Sequence, residues 1–217
     1  MLKYTATDRK GHKLTPGGRV VFGPGWLAWL KKRQKRNGRG IVVTPVKKQN
    51  RIERMIAIAN HEHGVHEQPP GSNSGDRVRQ YQAATDVPGT GWPWCMAFII
   101  WCATSAGIAV PYRGAYVPHF VRWAKQAGRI RKKPVRGFAV CFDWDNDGVA
   151  DHIEQVTGIK RGTPTFYTDG GNTSQGDGSR SNGGEVVNDR PRQLSDVLCF
   201  VDMRHLPSTN TANAHGV

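Results

Sequence analysis

Residues 91–102 read GWPWCMAFIIWC, and Cys95 opens an apolar run of helical length with Pro93 two positions before it. A thiol at a helix N-terminus meets unpaired backbone N–H groups and the positive end of the helix dipole, which favour the reactive thiolate. The same N–H groups can receive a developing oxyanion. Such a nucleophile needs a base, and the base needs an orienting group. The segment DGVADHIEQVTGI supplies His152 at the opening of a strand, and YTDGGNTS supplies Asp169 and Asn172 at the end of the next one. Either of these two is able to orient the imidazole.

A second constellation overlaps the first. DWDNDGVADHIE, residues 143–154, fits the calcium-loop template D-x-[DN]-x-[DN]-G-x5-E at every fixed position. On that template Asp143, Asp145 and Asp147 supply carboxylate oxygens and Val149 a backbone carbonyl. Asp151 is a direct or water-bridged ligand, and Glu154 closes the site on Ca2+. A hydrated acidic turn is the alternative, because the alternation after His152 reads as strand rather than as the helix of an EF-hand.

The elements that must position these groups follow from hydrophobic periodicity. RIERMIAIANHEHG places Ile52, Met55, Ile56 and Ala59 at helical spacing and runs to Gly64. A Pro/Gly/Ser/Asn loop at 69–75 leads to a short helix with Val78 and Tyr81 inward. Helices are predicted over 95–106 and over AYVPHFVRWAKQAG, ending at Gly128. Beyond it the period shifts toward two, and GFAVCFDW, DHIEQVTGI, TPTFYTDGG, GEVVNDR and VLCFVDM read as antiparallel strands with turn-rich connections. Helices first and strands afterwards predict an α+β domain.

Composition bounds the rest. The 217 residues suffice for one core, and 26 glycines with 13 prolines suit a loop-rich domain. No stretch has the length of a membrane span, and the N-terminus lacks the apolar segment of a secretory signal, so synthesis in the cytoplasm without a signal peptide is expected. Residues 1–50 hold 13 lysines and arginines against one acid, Asp8; they carry +12 of the net +14. The sequence thus divides into a basic N-terminal arm (1–50), a catalytic domain (51–206) and a polar tail (207–217). The arm, with Trp26, Leu27, Trp29, Leu30 and the basic run 31–36, suits an anionic wall polymer or a membrane surface, or is a solvated extension.

Cys102, Cys141 and Cys199 lie inside apolar segments, where free cysteines behave as small hydrophobes, although a disulfide among them stays open. No C-x-x-C pair announces zinc. His61, His63 and His66 match no strong ligand spacing, and His119 carries no implied chemistry.

EQPPGSNSGDRVRQYQ, GWPWCMAFIIWC, FDWDNDGVADHIEQV and GGNTS, in this order, resemble the CHAP family, the cysteine- and histidine-dependent amidohydrolases/peptidases of phage endolysins and bacterial wall hydrolases. The resemblance spans about residues 52–205. It implies a papain-like α+β fold, with N-terminal helices packed on an antiparallel sheet. It makes Cys95 the nucleophile and His152 the general base. Many relatives carry Glu-Gly-Asn where this chain has Gly170, Gly171 and Asn172, so the usual acid is missing. Asn172 is the favoured substitute, with Asp169 the alternative. The implied activity is hydrolysis of an amide bond in peptidoglycan, by an N-acetylmuramoyl-L-alanine amidase or a stem or cross-bridge endopeptidase, through a cysteine thioester. A monomeric phage or bacterial lysin acting at the cell wall is the expected context. Two other readings are a catalytically silent calcium-binding virion or wall module, and a basic nucleic-acid-binding protein. The second is disfavoured because the charge is confined to the arm and no recognised binding module accompanies it.

Overall fold

The computed structural model describes residues 3–7, 20–21, 42–45, 50–176 and 178–209. The chain divides into two units, Met1–Gln49 and Asn50–Val217. In the first, strands β1 (Lys3–Thr7), β2 (Val20–Val21) and β3 (Val42–Pro45) pair antiparallel in the order β2-β1-β3. The sequence reading of an arm did not foresee this pairing. The Trp26–Leu30 region, the basic run 31–36 and residues 210–217 of the expected tail lie outside the described residues.

In the second unit four helices precede most of the sheet. They are α1 (Arg51–His61), α2 (Asp76–Gln82), α3 (Cys95–Ser105) and α4 (Val117–Gln126). Asn50 caps α1, its side chain accepting from the Ile52 amide at 3.1 Å, and the i, i+3, i+4 residues Ile52, Met55, Ile56 and Ala59 are buried as their spacing requires. Helix α3 is apolar nearly all round, and Met96 through Ile100 are sealed from solvent. It is the central helix of the layer, packed on α1 and α2 and against the sheet.

Six antiparallel strands complete the unit: β4 (Ile130–Arg131), β5 (Ala139–Phe142), β6 (His152–Ile159), β7 (Thr165–Thr173), β8 (Glu185–Gln193) and β9 (Val197–Val201), ordered β4-β9-β5-β6-β7-β8. The α+β architecture is that expected of a papain-like domain. Short β4 was not anticipated. The alternation of each strand divides the interior in two. Ala139, Cys141 and Ile153 join the large core under the helices, whereas Val140, Phe142 and Val156 join a second cluster with Phe138, Phe166 and Phe200. His152 and Glu154 follow the parity of Val156, so both belong to the face of this second cluster. Among the described residues no helix is long and apolar enough to cross a membrane.

Candidate active site

Cys95 is the first residue of α3 and is 4% exposed. The residue before it fixes the helix start. Trp94 is fully buried, donates its indole N–H to Glu67 Oε1 at 2.9 Å and stacks on Tyr81 at 5.5 Å between ring centroids. Tyr81 is itself held by its hydroxyl donating to Glu62 at 2.5 Å, and Glu62 is paired with Arg77. The amides of the first helical turn have no partner within the helix, so the Cys95 N–H is a donor available to charge that develops beside the sulfur.

His152 opens β6 and is wholly buried. Its Nε2 lies 3.2 Å from Oε1 of Glu154, and its Nδ1 has no hydrogen-bond partner among the described residues. Burial by itself lowers the imidazole pKa, but interaction with the Cys95 sulfur and with Glu154 outweighs burial and pushes it up to about 9. The charged imidazolium is therefore the favoured state at neutral pH.

Glu154 is the carboxylate that reaches the histidine, and linear reasoning missed this role. The guanidinium of Arg192 grips it from β8, with Nε donating to Oε2 at 2.8 Å and Nη2 to Oε1, and Thr168 donates its hydroxyl to Oε2 at 2.6 Å. Burial by itself raises the Glu154 pKa, but His152 and Arg192 outweigh it and hold the carboxyl well below the usual carboxylate range. The double-glycine departure from the family pattern now has a spatial explanation. A Cβ on Gly170 would stand 2.6 Å from Glu154 Cγ, and one on Gly171 would stand 2.6 Å from the Trp94 ring and 2.7 Å from Phe98. The volume next to β7 where residue 170 would project is filled by a carboxylate from β6, and the neighbouring glycine lets the nucleophile's helix approach. The available signal was strand parity, since residues i and i+2 share a face.

The two residues expected to orient the base are placed otherwise. Asn172 donates from Nδ2 to Asn73 at 3.1 Å and to Asn182 at 3.0 Å, and its Oδ1 accepts from the Gly184 amide at 3.2 Å. It ties the end of β7 to two loops. Asp169 accepts from the Asp189 amide at 3.0 Å, and its second oxygen has no partner among the described residues. No described hydrogen bond links either residue to His152. Burial pushes the Asp169 pKa up to about 7. An acid whose folded-state pKa is raised favours the fold most when protonated, so its contribution declines as pH rises from about 4 through about 7. Asp169→Asn is expected to stabilise the protein by on the order of 1–2 kcal/mol at pH 8 and by little at pH 4. Thermal melts of both proteins across that range check it; an equal shift at both ends would count against a buried, titrating carboxyl.

The acidic loop before His152 is only partly the expected cation site. Oxygens of Asp143, Asp145 and Asp151 gather within 4.8 Å of one another. Asp143 also accepts from the Asp147 and Gly148 amides at 3.2 and 3.0 Å, and Asp151 from the Trp144 amide at 2.6 Å. Asp147 instead accepts from the Val149 amide at 2.7 Å, outside the gathered set, and Val149 is exposed. Glu154, expected to close the loop, is turned away into the pair with Arg192 and His152. A strand has no helical turn to bring residue 12 of such a loop back over the cation. Three carboxylates still fit a hard, oxygen-seeking ion, with half or fewer of the six to eight ligands Ca2+ takes.

All four cysteines are free thiols. Burial pushes the Cys102 thiol well up, and Cys141 lies directly across from Cys199 in the β5/β9 ladder, its pKa raised by their hydrogen bond and by burial. None of His61, His63, His66 and His119 joins a group able to hold a metal among the described residues. Residues 87–172, from the loop before α3 to Asn172 in β7, match the family model of the CHAP domain. No curated protein and no solved structure matches the chain.

Proposed function

We propose that this chain, whose residues 87–172 match the family model of the CHAP domain, hydrolyses an amide bond of peptidoglycan by acyl transfer to Cys95. The observation that carries the reading is the convergence of a thiol at a helix N-terminus, a buried histidine and a carboxylate on the histidine's far nitrogen. The Cys95 sulfur adds to the amide carbonyl while the Cys95 N–H receives the oxyanion. His152, charged by its pairing with the sulfur, then gives its proton to the leaving amine. A water deprotonated by the now neutral imidazole cleaves the thioester and regenerates the pair. Glu154 fixes the ring orientation and stabilises the imidazolium without itself taking the proton.

Muramoyl-L-alanine amidase and stem or cross-bridge endopeptidase activities use the same machinery. Digestion of purified walls of known chemistry, with mass analysis of the fragments, separates them: new N-terminal L-alanine marks an amidase, new glycine or diamino-acid termini an endopeptidase. Release of no fragment from any wall type by reduced, folded protein would overturn the hydrolase reading. Residues 1–50, with +12 of the net charge, are proposed to hold the enzyme on the anionic wall. Binding of the full chain to whole walls should then fall steeply as salt shortens the Debye length from about 10 Å at 0.1 M to about 3 Å at 1 M; salt-independent binding would remove that role.

Asp143, Asp145 and Asp151 are proposed to hold a divalent cation, Ca2+ by donor type. Such an ion would fix the start of β6 and with it the backbone of His152. At one hundred times its dissociation constant an ion bound only by the folded state adds about 2.7 kcal/mol, hence roughly 5–10 °C in melting temperature for a chain of this size. Titration of chelator-stripped protein with Ca2+ is expected to give that shift, and Asp145→Asn to abolish it. An unchanged melting temperature would leave an acidic turn held by its own amides.

A further inference from the structure

Three arginines converge around Trp144 and Thr173. Trp144 stacks on Phe142 at 4.5 Å and 10°, and its ring centroid is 6.5 Å from that of His152. The Arg180 guanidinium sits 4.3 Å from the Trp144 ring centre, and that of Arg192 5.2 Å from it. Thr173 is the joint between them: its hydroxyl donates to the Arg180 carbonyl at 3.0 Å and accepts from Arg190 at 3.0 Å and from Arg192 at 3.3 Å. Two guanidinium groups that share one hydroxyl are held close against their mutual repulsion.

Among the described residues, Glu154 and Asp196 are the acids that pair with these three arginines. Glu154 is committed to Arg192 and His152. Asp196 approaches Arg180 only at 3.9 Å, and about half of the Arg180 side chain is exposed. Arg190 has no carboxylate within ion-pairing distance among the described residues. Its pKa is lowered by burial and by Arg192 and Arg180, against the opposing effect of Glu154 and Glu185. The Trp144 indole N–H is buried without a partner among the described residues.

We propose that Arg180, which packs on Trp144, and Arg190, which joins it through Thr173, form a subsite that takes a carboxylate of the substrate on the leaving-group side of the scissile amide. The assignment of side rests on the hydrolase reading above: His152 delivers the proton to the departing amine, so the amine-bearing portion of the substrate lies over His152, and Trp144 is the next ring beyond it. Stem peptides carry the matching groups, the free carboxylates of D-glutamate and of diamino acids, and the planar fork of arginine suits a carboxylate. The subsite thus selects walls whose stem carboxylates are free over walls in which they are amidated.

The test compares a disaccharide-tetrapeptide with free carboxylates against the same muropeptide with its carboxylates converted to primary amides. Binding is measured by calorimetry to the full-length Cys95→Ala protein. The free-acid form is expected to bind at least about tenfold more tightly, the weight of one charge-assisted hydrogen bond. Adding Arg180→Ala and Arg190→Ala should bring the two affinities within about twofold. Arg180→Ala alone, at an exposed position that does not hold the fold, should lose part of the preference. The basic N-terminal segment is common to all variants, so only the acid-to-amide ratio is read. Equal affinity of Cys95→Ala for the two muropeptides, binding of neither, or a preference surviving both arginine substitutions would overturn the subsite. Failure of the wild type to cut any wall overturns the hydrolase reading and leaves this binding comparison to be judged separately.

Discussion

Cys95→Ala and His152→Ala are each expected to lose wall hydrolysis by at least about a thousandfold, and the double variant to be hardly worse than either single one. The non-additivity follows from the shared task. Without the sulfur there is no nucleophile to form the thioester, and without the imidazole the thiol has no proton acceptor and the leaving amine no donor. Cys95→Ala should remain folded, since Trp94 and not Cys95 anchors the start of α3 through Glu67 and Tyr81. Circular dichroism and fragment release from walls measure the two properties. Cys102→Ala is the control. Cys102 lies in the same helix but is sealed in the core, where burial keeps it a thiol. If Cys102→Ala were the dead variant and Cys95→Ala an active one, the nucleophile would be the other cysteine.

The second large effect is expected at Glu154. Glu154→Gln should lower the rate by at least about a hundredfold and displace the alkaline limb of the rate profile to lower pH. The sign follows from the pairing. Glu154 is one of the groups that push His152 up to about 9, so a neutral residue there lets the imidazolium lose its proton earlier. Stability should fall too, because Arg192 is left buried beside an uncharged acceptor, and breaking such a pair costs about 3–5 kcal/mol. That part of the difference has its own pH dependence. The folded-state pKa of Glu154 is depressed, so its contribution is present above the ordinary carboxylate pKa and is lost as pH falls. Melts at pH 7 and at pH 3 should therefore show the gap between wild type and variant closing with acid. Asn172→Ala gives the contrast, since its three hydrogen bonds tie β7 to two loops and none reaches His152. It should destabilise by about 1–3 kcal/mol without moving the alkaline limb. A rate profile shifted by Asn172→Ala and not by Glu154→Gln would return the orienting role to the asparagine.

Much of the site was legible before any coordinates. Cys95 at a helix start and His152 at a strand start are local facts, written in the period of the flanking apolar residues, and the order of helices before strands followed from the same periodicity. Ile52, Met55, Ile56 and Ala59, and Val78 and Tyr81, are buried as their spacing required. The third member of the site was misjudged for an identifiable reason. Glu154 also completes a linear calcium-loop template, and a template read along the chain takes no account of the pleat that puts residues 152 and 154 on one face.

What the sequence by itself determined is therefore the chemistry available and the element carrying each reactive group: thiol on helix, imidazole on strand, carboxylates crowded before it. Tertiary structure decided which carboxylate meets the imidazole. That choice depends on Arg192, 38 residues beyond Glu154 and two strands away, and on the absence of a side chain at Gly170, whose space the Glu154 carboxylate occupies. Periodicity encodes which way a side chain faces relative to its own element. It carries no information about the register between strands, and in a buried site the register determines which charges stand within hydrogen-bonding distance and which glycine leaves room for them.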